Sequence, residues 1–331
     1  MKNLLVPHRL IVLIMWLVTT ITVVTLLFLD VRTTSDFSTL RYVLQSIYVL
    51  VLLWHLSSSG SLVGELPELN ILSRWKYGVW IPALGLALVF AMTILSDAGT
   101  SILLLVMILA TLIILVVWRK EIRQRSVLQG LGLALVAYLA GLKMAENEFI
   151  GTAVLYLLPL FVMPMYVASD LLIKRTRLGG IRLLEGQYQD ALKSLGWGML
   201  LFIPLGLFNA ASGSPAPGII WVTEIWMPAW LPWFSAIAEE VWFRLFLISL
   251  SFYLLRPALK TQPLLAIIIV VLFSGITFGL GHGRTIEKFL TTGLLYGVPM
   301  AAIFVRRDGE HAIGAHLMVN MIPWFYAFLE S

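Results

Sequence analysis

Two adjacent glutamates, Glu239 and Glu240, stand with Arg244 in AEEVWFRLF at 238–246, inside a run rich in tryptophan, phenylalanine, leucine and isoleucine. Further on, FSGITFGLGHG places Phe278 and His282 four residues apart, and HAIGAHLMVNMI does the same for His316 and Asn320. A carboxylate and an imidazole held together in apolar surroundings can bind and deprotonate a water, which assigns Glu239 and His282 to that task. His316 and Asn320 can then donate hydrogen bonds to the oxyanion formed when that water adds to a peptide carbonyl. The chemistry is hydrolysis without a protein nucleophile. Nucleophilic routes find no support, since the chain has no cysteine and no Gly-x-Ser-x-Gly elbow. The zinc signature His-Glu-x-x-His is also absent. Glu239, His282 and His316 could still hold a Zn²⁺ with an open position, so a metal-assisted form of the reaction stays open.

Residues four apart share a helix face, so Glu240 and Arg244 can pair, while successive side chains diverge by about 100°. A lone charge at the bilayer centre costs at least about 2.5–3.5 kcal/mol. The Glu240/Arg244 pair lessens that cost and supports the site, but it leaves Glu239 without a cation on its own helix. Partners must come from the helices carrying His282 and His316. Gly275, Gly279 and Gly283 give small-xxx-small spacings that let a helix come close beside Phe278. Depth, counted along straight helices from the basic loops, matches Glu239 with His282 but leaves His316 shallower. GEHAIGAH must then be unwound, or the membrane thinned. Taken singly, each polar residue could be interhelical glue; convergence of a spare carboxylate, two imidazoles and an amide favours a site.

The elements that must position these residues are membrane spans. The chain has 331 residues, 60% of them hydrophobic and 12% charged, against about 25% charged in soluble domains. Apolar stretches long enough to cross a bilayer lie near 10–29, 42–57, 78–96, 100–118, 127–145, 149–169, 196–210, 228–255, 264–282, 288–305 and 311–329. The expected fold is an all-α, polytopic helical bundle of ten or eleven spans in an integral membrane protein. The net charge of +5 reports loop asymmetry rather than a nucleic-acid partner. Basic residues cluster at Lys2/Arg9, Arg74/Lys76, Arg119–Arg125, Lys174–Arg182, Arg256/Lys260 and Arg306/Arg307, and Asp97, Glu146/Glu148 and Glu224 mark the alternate loops. That alternation predicts a cytoplasmic amino terminus, and the expected location is the plasma membrane.

Residues 1–190 read as a multi-span region of unknown role and 191–331 as the core that bears the chemistry. Between them, 170–195 is amphipathic through Leu183, Leu184, Tyr188, Ala191 and Leu192 and reads as an interfacial helix; AASGSPAPGII at 210–220 reads as an extramembrane loop. Gln45 and His55 are isolated polar residues. His311 is expected at the surface, and Trp230, Trp233 and Trp242 at the lipid face or interface.

Glu-Glu-x-x-x-Arg at 239–244, Phe-x-x-x-His at 278–282 and His-x-x-x-Asn at 316–320 resemble, in order and spacing, the three motifs of the CPBP family. This family comprises type II CAAX prenyl endopeptidases and bacteriocin-processing, Abi-like proteins. The resemblance covers about 225–325. It implies a glutamic intramembrane endopeptidase in which Glu239 and His282 activate water, His316 and Asn320 stabilise the oxyanion, and Glu240 with Arg244 supports the site. It also implies a membrane-associated or lipid-modified peptide substrate. The rival readings are a non-catalytic membrane partner, such as a bacteriocin-immunity protein, and a proton-coupled transporter in which Glu239 and the histidines relay protons.

Overall fold

The computed structural model describes residues 7–28, 35–58, 99–146, 152–176, 179–212, 222–256, 263–283 and 285–330. These residues are almost wholly helical and contain no strand. Helices α1 (Pro7–Phe28), α2 (Ser35–Ser58), α3 (Gly99–Val117), α4 (Gln124–Glu146) and α5 (Thr152–Thr176) come first. The one-turn α6 (Arg182–Glu185), the long α7 (Tyr188–Ala211) and the short α8 (Trp226–Trp230) follow. Then α9 (Trp233–Glu239) runs through a π-helical segment, Glu240–Phe246, into α10 (Leu247–Leu254). The rest is α11 (Pro263–Gly281), α12 (Ile286–Lys288), a second π segment (Phe289–Gly297), α13 (Val298–Arg306) and α14 (Gly309–Glu330).

Six helices among the described residues are long and apolar enough to cross a membrane, and two shorter apolar helices lie at Leu10–Thr25 and Ile102–Val117. The protein is a multi-pass integral membrane protein. Every sequence-predicted span falls on a helix except 78–96, which lies outside the described residues, as do Lys2, Arg74, Lys76, Asp97, Glu148, Arg177, Lys260 and most of the 210–220 loop. The predicted 228–255 span is not one rod but the α8, α9, π and α10 series.

The 170–195 stretch corrects the expectation of a separate interfacial helix. It divides into the end of α5, the single turn α6 and the start of α7. Gly186 ends α6 in the left-handed conformation (φ 84°), which an L side chain adopts only with strain. The chain therefore turns there, and α7 begins at Tyr188 as a full-length span.

Helix α14 lies along α7 at backbone contact. A Cβ on Gly314 would overlap the Leu195 carbonyl oxygen, and one on Gly198 would overlap that of His311. Asn209 Nδ2 donates to the Val319 carbonyl, 3.0 Å away, across the same seam. Helix α11 meets the second π segment in the same manner, where a Cβ on Gly279 would stand 2.5 Å from the Gly293 nitrogen. The glycine spacing read from the sequence thus marks a real helix contact. Helices α4 and α5, from the amino-terminal region, pack against α9 and the first π segment, and one hydrophobic core runs from Val23 to Val319.

The turn between α13 and α14 sinks into the protein. Asp308, Glu310 and His311 are all buried, which corrects the surface assignment of His311. Asp308 accepts from the His311 backbone N–H (2.9 Å), pairs with His311 Nδ1 (2.7 Å) and takes bonds from Arg182 (2.6 Å) and Ser194 (3.0 Å). Glu310 accepts the backbone N–H groups of Arg182 and Leu183, and the Gly309 N–H donates to the Gly180 carbonyl. The segment around α6 is therefore clipped over the start of α14. Helix α14 is continuous from Gly309 onward, so GEHAIGAH is not unwound. Gln45 is not isolated either, since it is buried and hydrogen-bonded to Tyr296.

Burial alone would raise the Asp308 carboxyl, but the hydrogen bonds and charge of His311 and Arg182 outweigh it and hold it at about 2, below its ordinary 3.8. A depressed carboxyl stabilises the fold above the unfolded-state value, and that contribution is lost as pH falls through the folded value. Asp308→Asn should lower the melting temperature of the detergent-solubilised protein at pH 7. The gap between wild type and variant should stay constant down to about pH 4 and narrow as pH falls further toward about 2.

Candidate functional site

The sequence placed three motifs on three helices, and the structure brings Glu239, Glu240, Arg244, Phe278, His282 and His316 together. Glu239 closes α9, and Glu240 opens the π segment. In that segment the Leu247 N–H donates to the Trp242 carbonyl five residues back, which widens the turn; such segments occur often at functional sites. The freed polarity is met laterally, as Ser274 on α11 donates its hydroxyl to the Phe243 carbonyl (2.8 Å).

Glu240 and Arg244 are both fully buried, and Arg244 Nη1 lies 3.3 Å from Glu240 Oε1. The expected pair exists, but it lacks hydrogen-bond alignment, and Arg244 Nε and Nη1 have no hydrogen-bond partner among the described residues. The rest of the guanidinium's surroundings are soft: Met300 Sδ at 3.5 Å from Nη2 and the Phe278 ring with its centroid 4.1 Å from Cζ. A desolvated arginine over a ring face gains about 2 kcal/mol or more.

His316 links the two glutamates. Its Nδ1 is 2.7 Å from Glu240 Oε1, and its Nε2 is 3.7 Å from Glu239 Oε2. A carboxylate paired with an arginine can only accept, so Nδ1 is the donor in that short bond. His282 Nε2 lies 3.5 Å from the same Glu239 oxygen, and His282 Nδ1 bonds the Phe278 carbonyl at 2.9 Å. Because a carbonyl only accepts, Nδ1 of His282 carries the hydrogen in that bond, and Nε2 faces Glu239. Glu239 Oε2 itself is buried with no hydrogen-bond partner among the described residues. An unmet carboxylate oxygen set between two imidazole nitrogens is the most reactive feature here.

Phe278 is the wall that the rings lean on. Its centroid lies 4.6 Å from that of His282, 5.6 Å from that of His316 and 5.6 Å from that of Phe243, the latter two edge-on. Exposure grades across the site: the His282 side chain is 40% exposed, Glu239 18%, His316 3%, and Glu240 and Arg244 not at all. The open edge of the site is therefore on the His282 side, at the end of α11, and the Glu240/Arg244 pair lies shut off behind it.

Asn320 stands apart from the two carboxylates. Its Nδ2 donates to Ser235 Oγ at 2.8 Å, and Ser235 in turn donates to the Pro232 carbonyl (3.2 Å). Ser235 escaped the sequence reading although it sits four residues before Glu239, on the same helix face. Trp242 corrects the lipid-facing assignment: it is 2% exposed and meets Phe161 of α5 edge-on, 6.1 Å between centroids. Trp233 and Trp230 are half-buried and pack against the core clusters. Among the described residues no group of three His, Asp or Glu side chains is gathered so as to hold a metal ion.

Removing one partner of a buried ion pair strands the other, a loss of about 3–5 kcal/mol. Arg244→Met should therefore destabilise the protein severely in chemical or thermal unfolding. The double variant Glu240→Gln/Arg244→Met should recover much of that loss, because no buried charge is left alone. Strictly additive losses would contradict this account of the pair.

Residues 221–322 match the family model described as Rce1-like: Type II CAAX prenyl endopeptidase Rce1-like. No curated protein and no solved structure matches the chain.

Proposed function

We propose that this membrane protein, whose residues 221–322 match the Rce1-like model of type II CAAX prenyl endopeptidases, hydrolyses a peptide bond at the membrane through a glutamate-activated water. The observation that carries this reading is the buried, unsatisfied Oε2 of Glu239, 3.5 Å from His282 Nε2 and 3.7 Å from His316 Nε2.

A water entering past His282 gives one hydrogen bond to the Nε2 lone pair and one to Glu239 Oε2. Glu239 takes the proton as the water oxygen adds to the carbonyl carbon. The tetrahedral intermediate then collapses, the C–N bond breaks, and Glu239 returns its proton to the leaving amine. His316 and the second amide hydrogen of Asn320 face the oxyanion. To donate from Nε2 to the oxyanion while Nδ1 donates to Glu240, His316 must carry both ring protons. Glu240 and Arg244 hold His316 in place, and Ser235 orients Asn320.

The substrate is a membrane-associated or lipid-modified peptide, in keeping with a site sunk among spanning helices and open at one end. The charge alternation of the loops supports an amino terminus in the cytoplasm.

Cleavage of a farnesylated CAAX reporter peptide and of an unmodified transmembrane peptide, each in proteoliposomes, tests the proposal. Glu239→Gln should leave an inserted protein with unchanged melting behaviour whose cleavage rate falls about 10²–10⁴-fold, and chelators should leave the wild-type rate unchanged. Wild-type cleavage by the Glu239→Gln variant would remove Glu239 from the chemistry and favour a non-catalytic role.

A further inference from the structure

An apolar cavity of about 300 Å³ lies behind the candidate site, and neither Glu239, His282, His316 nor Asn320 lines it. One wall is α7, which contributes Tyr188, Ala191, Leu192 and Leu195, the i, i+3, i+4, i+7 stripe of a single helix face. This is the amphipathic pattern that the sequence offered for an interfacial helix. The opposite wall is α4, where Leu133 faces the cavity, with Gln129 and Arg125 one and two turns earlier on the same face. The inner wall is Trp233 and Leu245, which flank the stretch bearing Glu239, Glu240 and Arg244. The rim residues Leu192 and Tyr188 are 70% and 59% exposed, so the cavity opens on the outer face of α7, a helix long and apolar enough to cross a membrane.

Polar groups along the walls are accounted for, with one exception. Gln129 donates to the Leu183 carbonyl and accepts from Tyr166, and Glu310 is held by two backbone N–H groups. Neighbouring cations are engaged too: Arg123 and Lys174 with Asp170, Arg182 with Asp308, and Lys193 with Asp190. Arg125 is different. Its guanidinium lies 5.2 Å from the Tyr188 ring centroid at the cavity mouth, and Nε and Nη2 are buried without a hydrogen-bond partner among the described residues.

We propose that this cavity is a lipid site, taking one acyl chain of an anionic glycerophospholipid from the surrounding bilayer with its phosphate on Arg125. An opening toward lipid decides the chemistry of the chain, since hydrocarbon is the solvent there. The half-buried guanidinium at the cavity mouth decides the headgroup, because its two N–H groups without an acceptor can take a phosphate oxygen. The spacing agrees: Arg125 to Leu133 spans ~12 Å of helix, close to the ~15 Å hydrocarbon depth of one leaflet. The bound chain rests on Trp233 and Leu245, two residues from Ser235 and adjacent to Arg244, so occupancy braces the helix that bears Glu239 from behind.

The test reads lipid retention rather than cleavage, so it stands or falls independently of the peptidase reading. Full-length protein from nanodiscs of equal phosphatidylglycerol and phosphatidylcholine is delipidated in detergent and examined by native mass spectrometry. Wild type should retain one phosphatidylglycerol in preference to phosphatidylcholine by about tenfold. Arg125→Gln should retain a lipid without that preference, and Ala191→Phe, which fills the cavity, should lose the bound lipid. Melting temperatures in lipid-free detergent should be alike for all three. Retention without headgroup preference in wild type, unchanged preference in Arg125→Gln, or full retention in Ala191→Phe would each overturn the proposal. So would displacement of the lipid by a farnesylated peptide, which would give the cavity to substrate.

Discussion

Glu240 is a carboxylate with no exposed surface in the dry centre of a membrane bundle, and much of the architecture follows from the need to keep it there. Its charge is divided between Arg244 at 3.3 Å and His316 Nδ1 at 2.7 Å. Breaking either contact would leave an uncompensated charge where none is tolerated. That requirement sets the rotation of the π segment, the position of α14 and the orientation of the His316 ring. Arg244 is fixed in turn by the face of Phe278, so α11 is drawn into the same knot.

Around this dry pair the site is graded rather than uniform. Glu239 is the next residue back along the chain, yet it is 18% exposed and its Oε2 has no hydrogen-bond partner among the described residues. Two carboxylates from successive residues thus meet opposite edges of one imidazole with different tasks. The inner one anchors the ring, and the outer one is left free to accept a proton. Polar groups meant to react must be underbonded, whereas those meant to hold must be satisfied, and the exposure gradient from His282 to Glu240 separates the two classes.

The supporting helices reach the site only because their backbones come close together. Glycine seams between α7 and α14, and between α11 and the second π segment, leave no space for a Cβ. The buried turn at Asp308 pins the beginning of α14 beneath α6. Helices α4 and α5 complete the enclosure from the amino-terminal side, with Phe161 against Trp242. Helices α4 and α5 are therefore a wall of the site's housing.

Much of this was legible in the amino-acid sequence. Runs of apolar residues of bilayer length determined the helical spans, because a backbone without water must satisfy its own hydrogen bonds. Charges inside those runs determined which residues needed partners, and four-residue spacings determined which side chains share a face. The tertiary structure alone decided what those charges found. Ser235 became the partner of Asn320, His316 became the bridge between two glutamates, and His311 and Trp242 turned inward, because each outcome depends on a neighbour far away in the chain. The π segment, too, was invisible beforehand: a widened turn is chosen by the helices packed against it, and a local pattern carries no information about their approach.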